Sequence, residues 1–218
     1  MSAPARRHPL QPKWDGHGSL VDRFEQVRRY LEGRTVLDIG AVSRHGRADW
    51  VHGLVAGVAA RTVGVDIDES AVQQIRGEGY DVRVADACDL DLGERFEVVF
   101  AGEVIEHLDN VHGFLTSAHR HLQPDGRLVL TTPNAFYAMN FVYRIGGHAR
   151  VHREHTCWYC ADTITHVLER NGFRVDEIRY IRHRSPTPWR RAVSATLLRL
   201  LPTELRHNTL VVVAAPSS

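Results

Sequence analysis

The stretch Thr35 to Asp68, TVLDIGAVSRHGRADWVHGLVAGVAARTVGVDID, decides the fold. It opens on a β-rich run, Thr35–Ile39, that stops at Gly40. It closes on a second run, Thr62–Val65, that stops at Asp66, with a helical stretch of about Arg47–Ala60 between them. Both runs are apolar at nearly every position rather than at alternate ones. That is the pattern of strands covered on both faces, and a helix between two such strands makes them parallel. Working outward, the alternation continues through helix Glu69–Gly77, strand Asp81–Ala85, strand Phe96–Phe100, helix Asn110–Leu122 and strand Arg127–Thr131. Upstream, Ser19 is placed to cap a helix whose apolar positions Phe24, Val27, Tyr30 and Leu31 recur at helical spacing and which ends at Gly33. Residues 1–18, carrying Pro4, Pro9, Pro12, Gly16 and Gly18, read as a flexible tail.

Downstream the pattern changes. A Gly/His/Arg-rich loop, Phe141–Tyr159, precedes a helix at Asp162–Arg170 that Asn171-Gly172 stops. A strand at Phe173–Ile181, a basic segment with a helix at Trp189–Leu201, and a strand at His207–Ala214 complete the chain. Residues 19–218 are thus expected to form one α/β domain built on a doubly wound, mostly parallel sheet.

Composition narrows the class. The 218 residues are 43% hydrophobic and 24% charged, enough apolar mass for a full core and too much for a disordered chain. The longest uncharged apolar runs, Leu54–Ala60 and Leu210–Ala215, fall far short of the ~20 residues that span a bilayer, so no integral membrane segment is expected. The N-terminus lacks the apolar core of a secretory signal. With 3 cysteines, this fits reduced thiols in a cytoplasm. A net charge of +1 offers no global pull toward nucleic acid.

In a doubly wound sheet, ligands sit beyond the carboxyl ends of the strands. Those ends read Asp38-Ile39-Gly40-Ala41, Asp66-Ile67-Asp68, Asp86-Ala87, Gly102-Glu103-Val104-Ile105-Glu106-His107, and Thr131-Thr132-Pro133-Asn134. Gly40 lets the backbone turn with no Cβ in a ligand's way. Singly each end is weak, since an Asp after a strand is more often a helix cap; in this order they form a pattern. With the G-E-V-I-E-H-L run at Gly102–Leu108 and the run from Leu122 to Asn134, the chain resembles the class I S-adenosylmethionine-dependent methyltransferases from about Leu31 to Phe173.

The resemblance implies a seven-stranded Rossmann-like sheet whose last strand, His207–Ala214, is antiparallel, and S-adenosylmethionine as cofactor. It places Asp38, Gly40 and Ala41 beside the cofactor's methionine part and Asp66 on the ribose hydroxyls. Ile67 would pack on the adenine, Asp86 and Ala87 hold its edge, and Gly102 and Glu103 close the pocket. The sequence departs from the family in the glycine loop, where Val42 stands at the middle glycine of D-x-G-x-G-x-G. A β-branched residue is an outlier at positive φ, so the loop must take another path after Gly40, leaving Ser43, His45 and Gly46 as alternatives for the next contact. The same residues weaken a dinucleotide reading, since G-x-G-x-x-G would need glycines where Val42 and His45 stand.

Methyl transfer to a protonated oxygen or nitrogen calls for a proton acceptor. The candidates are His107, four residues after Glu103, and His155, with His148 and His152 in the same loop. The segments about 135–160 and 183–206 are the expected lid and acceptor site. Eight arginines between Arg174 and Arg206 suit a surface helix, or an anionic acceptor. Cys157 and Cys160 with nearby histidines have zinc-ligand types, but one pair running into a helix reads more plainly as packing under the lid, and no metal is expected. The D/N-P-P-aromatic signature of base-amine methylation is absent after the fourth strand, which argues against a nucleic-acid substrate. The expectation is methyl transfer to an oxygen or nitrogen of a small molecule, such as a sugar, a glycolipid precursor or a secondary metabolite. The alternative is a non-catalytic cofactor-binding or partner-regulating protein of the same fold. The sequence leaves a homodimer open.

Overall fold

A computed structural model describes residues 20–147, 151–181, 198 and 200–217, with side chains from residue 23 onward. The tail at 1–18, the cap at Ser19, His148 and most of the helix expected at Trp189–Leu201 lie outside the described residues. The chain runs α1 (Leu20–Leu31), β1 (Thr35–Ile39), α2 (Val51–Ala56), β2 (Arg61–Asp66), α3 (Glu69–Gly77), β3 (Val82–Val84), β4 (Phe96–Gly102), α4 (Val111–His121) and β5 (Leu122–Pro133). It continues with α5 (Ala138–Ile145), α6 (Ala161–Arg170), β6 (Phe173–Ile181), α7 (Thr203–Arg206) and β7 (Thr209–Pro216). No described helix is long and apolar enough to cross a membrane.

The strands form one seven-stranded sheet in the order β3-β2-β1-β4-β5-β7-β6. β1 to β5 are parallel, and β7 runs antiparallel between β5 and β6. The expected topology therefore holds, including the inverted last strand. Continuous apolar strands are explained by the two cores they feed. Val36, Val98, Phe100, Val129 and Val211 pack under α1 with Phe24, Val27 and Leu31. Their alternates Leu37, Val99, Leu128, Leu130 and Leu210 pack on the other face with Phe114, Ile164 and Phe173. Each fully buried Leu, Val or Phe contributes roughly 1.5–3 kcal/mol, so both faces hold the sheet flat between helices.

Two elements differ from expectation. The helix after β1 spans only Val51–Ala56, because the preceding residues form a run of turns. Part of the expected loop is helical: α5 begins at Ala138 and buries none of its side chains. Its apolar residues Phe141, Val142 and Ile145 stay exposed, so the helix packs no stripe against either core.

From β1 the chain builds outward to β2 and β3, then returns to place β4 on β1's other side. That reversal puts the switch point between β1 and β4. A hydrogen atom is all that fits at Gly64 on β2, where a Cβ would lie 2.6 Å from His52 Cε1 and 2.7 Å from the Ala41 Cβ. Gly64→Ala is expected to destabilise the protein by about 1–3 kcal/mol through overpacking, measured by denaturant unfolding; an unchanged midpoint would mean that the contact is loose.

Candidate active site

The loop leaving β1 solves the valine problem by moving its left-handed positions. Positive φ falls at Gly40 (81°), Arg44 (66°) and Gly46 (79°), and Val42 is spared. Three ties fix this path. Trp50 Nε1 donates to the Ala41 carbonyl at 2.8 Å, the Val42 amide donates to Asp66 Oδ2 at 3.1 Å, and His45 Nε2 meets Glu78 at 2.8 Å. Arg44 pairs with Asp49 in the same turn. Gly40 passes so close to the loop after β4 that a Cβ there would sit 3.0 Å from Val104 Cγ2.

Asp38 is buried and gives one carboxylate oxygen to His52 Nδ1 at 2.8 Å, beneath the loop. Burial raises its pKa, and the bond to His52 works against the rise. At the end of β2, Asp66 is half-buried and also accepts the Asp68 amide at 3.1 Å. Ile67 beside it is 75% exposed, a large apolar side chain held out at a strand tip. Asp68 caps α3 through the Ala71 amide, the bland role for an Asp after a strand. After β3, the exposed Asp86 accepts the Cys88 amide at 2.8 Å and starts the 3-10 turn Ala87–Asp89.

The most strained point is the end of β4. Glu103 takes φ 59°, a left-handed conformation rare for a side-chain-bearing residue and one that concentrates at functional sites. Its amide donates to the Thr131 carbonyl, one carboxylate oxygen pairs with Arg23 of α1 at 2.7 Å, and the other is buried without a partner. The 3-10 turn Ile105–His107 follows, pinned by Ile105 in the core. Glu106 is buried against Thr132 Oγ1 at 3.0 Å. Burial, with the negative charge of Glu103 second, pushes its pKa up to about 8, so it carries its proton at neutral pH.

The distant loop is stitched onto this turn by Thr156, whose amide donates to the Glu106 carbonyl at 2.8 Å and whose hydroxyl reaches the Leu108 carbonyl at 3.0 Å. His155 is thereby brought to His107, ring centroids 4.6 Å apart and perpendicular, with His152 5.6 Å from His107. Burial lowers the pKa of both His107 and His155, the latter to about 4, and the neighbouring imidazoles add to the effect. Cys160 instead caps α6 through Thr163, and Cys157 Sγ approaches the Ile105 carbonyl.

Of the residues named from sequence, Gly40, Ala41, Asp66, Ile67, Asp86, Ala87, Gly102 and Glu103 all stand at or just beyond the carboxyl edge of the sheet, and His107 and His155 meet behind Glu103. The Asp38–His52 pair, the Arg23–Glu103 pair and the protonated Glu106 were not foreseen. Only for Glu106 was there a signal: an acidic residue between Ile105 and an apolar-flanked histidine.

A glycine turn and carboxylates stand at successive strand tips of a doubly wound sheet, the edge where such α/β domains take their ligands. Residues 13–178 match the family described as methyltransferase domain, and the chain belongs to the S-adenosylmethionine-dependent methyltransferases. A probable S-adenosylmethionine-dependent methyltransferase of Mycolicibacterium smegmatis is 31% identical over 157 residues, 71% of this chain and 57% of that protein. A ubiquinone biosynthesis O-methyltransferase of Paramagnetospirillum magneticum is 33% identical over 120 residues, 51% of this chain and 45% of that one. The chain spans about half the length of these curated relatives. The fold matches a SAM-dependent methyltransferase structure from Archaeoglobus fulgidus at a TM-score of 0.63 and 21% identity, covering 91% of this chain and 95% of the other.

His52→Ala would leave the buried Asp38 carboxyl without its partner. Expected is a loss of about 2–5 kcal/mol of stability, read by denaturant unfolding, with cofactor affinity in the folded fraction changed far less. A large affinity loss at unchanged stability would instead make Asp38 a ligand-facing group.

Proposed function

We propose that this chain transfers a methyl group from S-adenosylmethionine to an oxygen or nitrogen of a small molecule, and that the strand-tip residues hold the cofactor. The observation that carries this reading is the left-handed Glu103 at the end of β4, tied to Arg23 and followed by the turn that carries His107 against His155. The cradle fits the cofactor. Asp66 has about four lone-pair sites and spends two on backbone amides, leaving acceptors for a ribose diol. Ile67 offers an exposed apolar platform for a purine, and Asp86 stands beyond it. Gly40 keeps the backbone bare where the methionine part would pass.

When bound, the cofactor supplies a sulfonium-activated methyl group, whose bonding pair returns to sulfur as the acceptor's lone pair takes the carbon. The protein's share is positioning and proton management. Holding donor and acceptor in line can supply ~7–11 kcal/mol of barrier lowering. Glu103 is fixed by Arg23 and has one carboxylate oxygen without a hydrogen-bond partner. The imidazoles of His107 and His155, uncharged at neutral pH, can accept the acceptor's proton. Among the relatives, an O-methyltransferase favours oxygen as the receiving atom.

Saturable binding of labelled S-adenosylmethionine is expected below millimolar concentration, and Asp66→Ala should weaken it by about 1–3 kcal/mol, read by calorimetry. An unchanged dissociation constant would refute the role of Asp66. Binding without turnover on any acceptor pool would favour a non-catalytic cofactor-binding protein.

A further inference from the structure

We propose that His107, His152 and His155 form a binding site for a divalent transition metal ion at the acceptor side of the cradle. Each of these residues offers one ring nitrogen, and the three atoms lie within 4.8 Å of one another. A zinc-like ion with metal–nitrogen bonds of about 2.0–2.1 Å in a tetrahedron needs its ligand atoms about 3.3–3.4 Å apart. The widest separation must therefore close by up to about 1.5 Å. His107 and His155 are held by the core-anchored turn and by the Thr156 stitch, so the closure falls to the exposed His152.

A further observation points to a ligand. Nδ1 of His155 is buried with no hydrogen-bond partner, an expense that a bound ion would repay. Imidazole ligands select zinc, copper, nickel or cobalt over magnesium or calcium. Three protein ligands leave a coordination position open, as in sites that bind a reactant.

The ion's use rests on the methyltransferase reading, although its binding does not. A hydroxyl acceptor taking the open position would lose its proton to water more readily and be held close to Glu103, whose charge reaches both His107 and His155. With the ion bound, the imidazoles no longer accept the proton. The sequence reading expected no metal; Cys157 and Cys160 are engaged with the Ile105 carbonyl and Thr163 and are not part of this trio.

The test uses the tag-free full chain, stripped with a chelator and titrated with cobalt(II), followed by visible absorption and calorimetry. One equivalent should bind with a tetrahedral or five-coordinate spectrum. His152→Ala and His155→Ala should each weaken binding by more than the ~10–100-fold that loss of an outer partner costs, while His112→Ala on α4 should match the wild type. S-adenosylhomocysteine affinity serves as the folding control, and in the wild type zinc should shift the imidazole NMR signals of the three histidines. No stoichiometric cobalt binding, or variants that bind like the wild type, would overturn the site. Cobalt binding without cofactor binding would overturn the methyltransferase reading alone.

Discussion

The close pass of two loops at the switch point sets the geometry of the whole carboxyl edge. Gly40 follows β1 and β4 ends at Gly102, and the following loops meet where a Cβ at Gly40 would crowd Val104 Cγ2 at 3.0 Å. A parallel sheet whose order reverses at β1 must open a crevice there. The near contact makes that crevice narrow and fixes which residues flank it. The left-handed Gly40 turns the chain away from the strand, and the Asp66 carboxylate catches the next amide but one. The positions of Ile67 and Glu103 follow from these ties.

The acceptor side is governed by charge held out of water. Burial, and after it the nearby Glu103, raises the pKa of Glu106, and Glu103 in turn pairs with Arg23 from α1. The histidines beside them are kept neutral by burial and by one another. A site with one compensated carboxylate, one protonated carboxyl and clustered neutral imidazoles suits proton uptake from an acceptor, and lone-pair donation to a cation equally.

Much of this was legible in the sequence. The central strands are nearly continuous in apolar residues because two cores claim alternate side chains, so Thr35–Ile39 could be read to the residue, while Phe173–Ile181 was marked by the Asn171-Gly172 stop before it. Glycine and acidic residues at the tips marked the edge because turns and caps need them. Val42 announced that the loop would depart from the glycine-rich path, and the structure places the left-handed residues at Arg44 and Gly46 instead. What stayed hidden depends on contacts between distant segments. Nothing local ties Arg23 to Glu103, His52 to Asp38, or Thr156 to the Glu106 carbonyl. The spacing of Met139, Val142 and Tyr143 was a helical signal for α5, which the reading of this segment as a loop passed over.

The most direct measurement is a crystal structure of the chain soaked or co-crystallised with S-adenosylhomocysteine. The account predicts adenine on Ile67, the ribose diol on Asp66, and the sulfur facing Glu103 and the histidine cluster. Density for the nucleoside elsewhere on the molecule, or a sulfur turned away from Glu103, would contradict it.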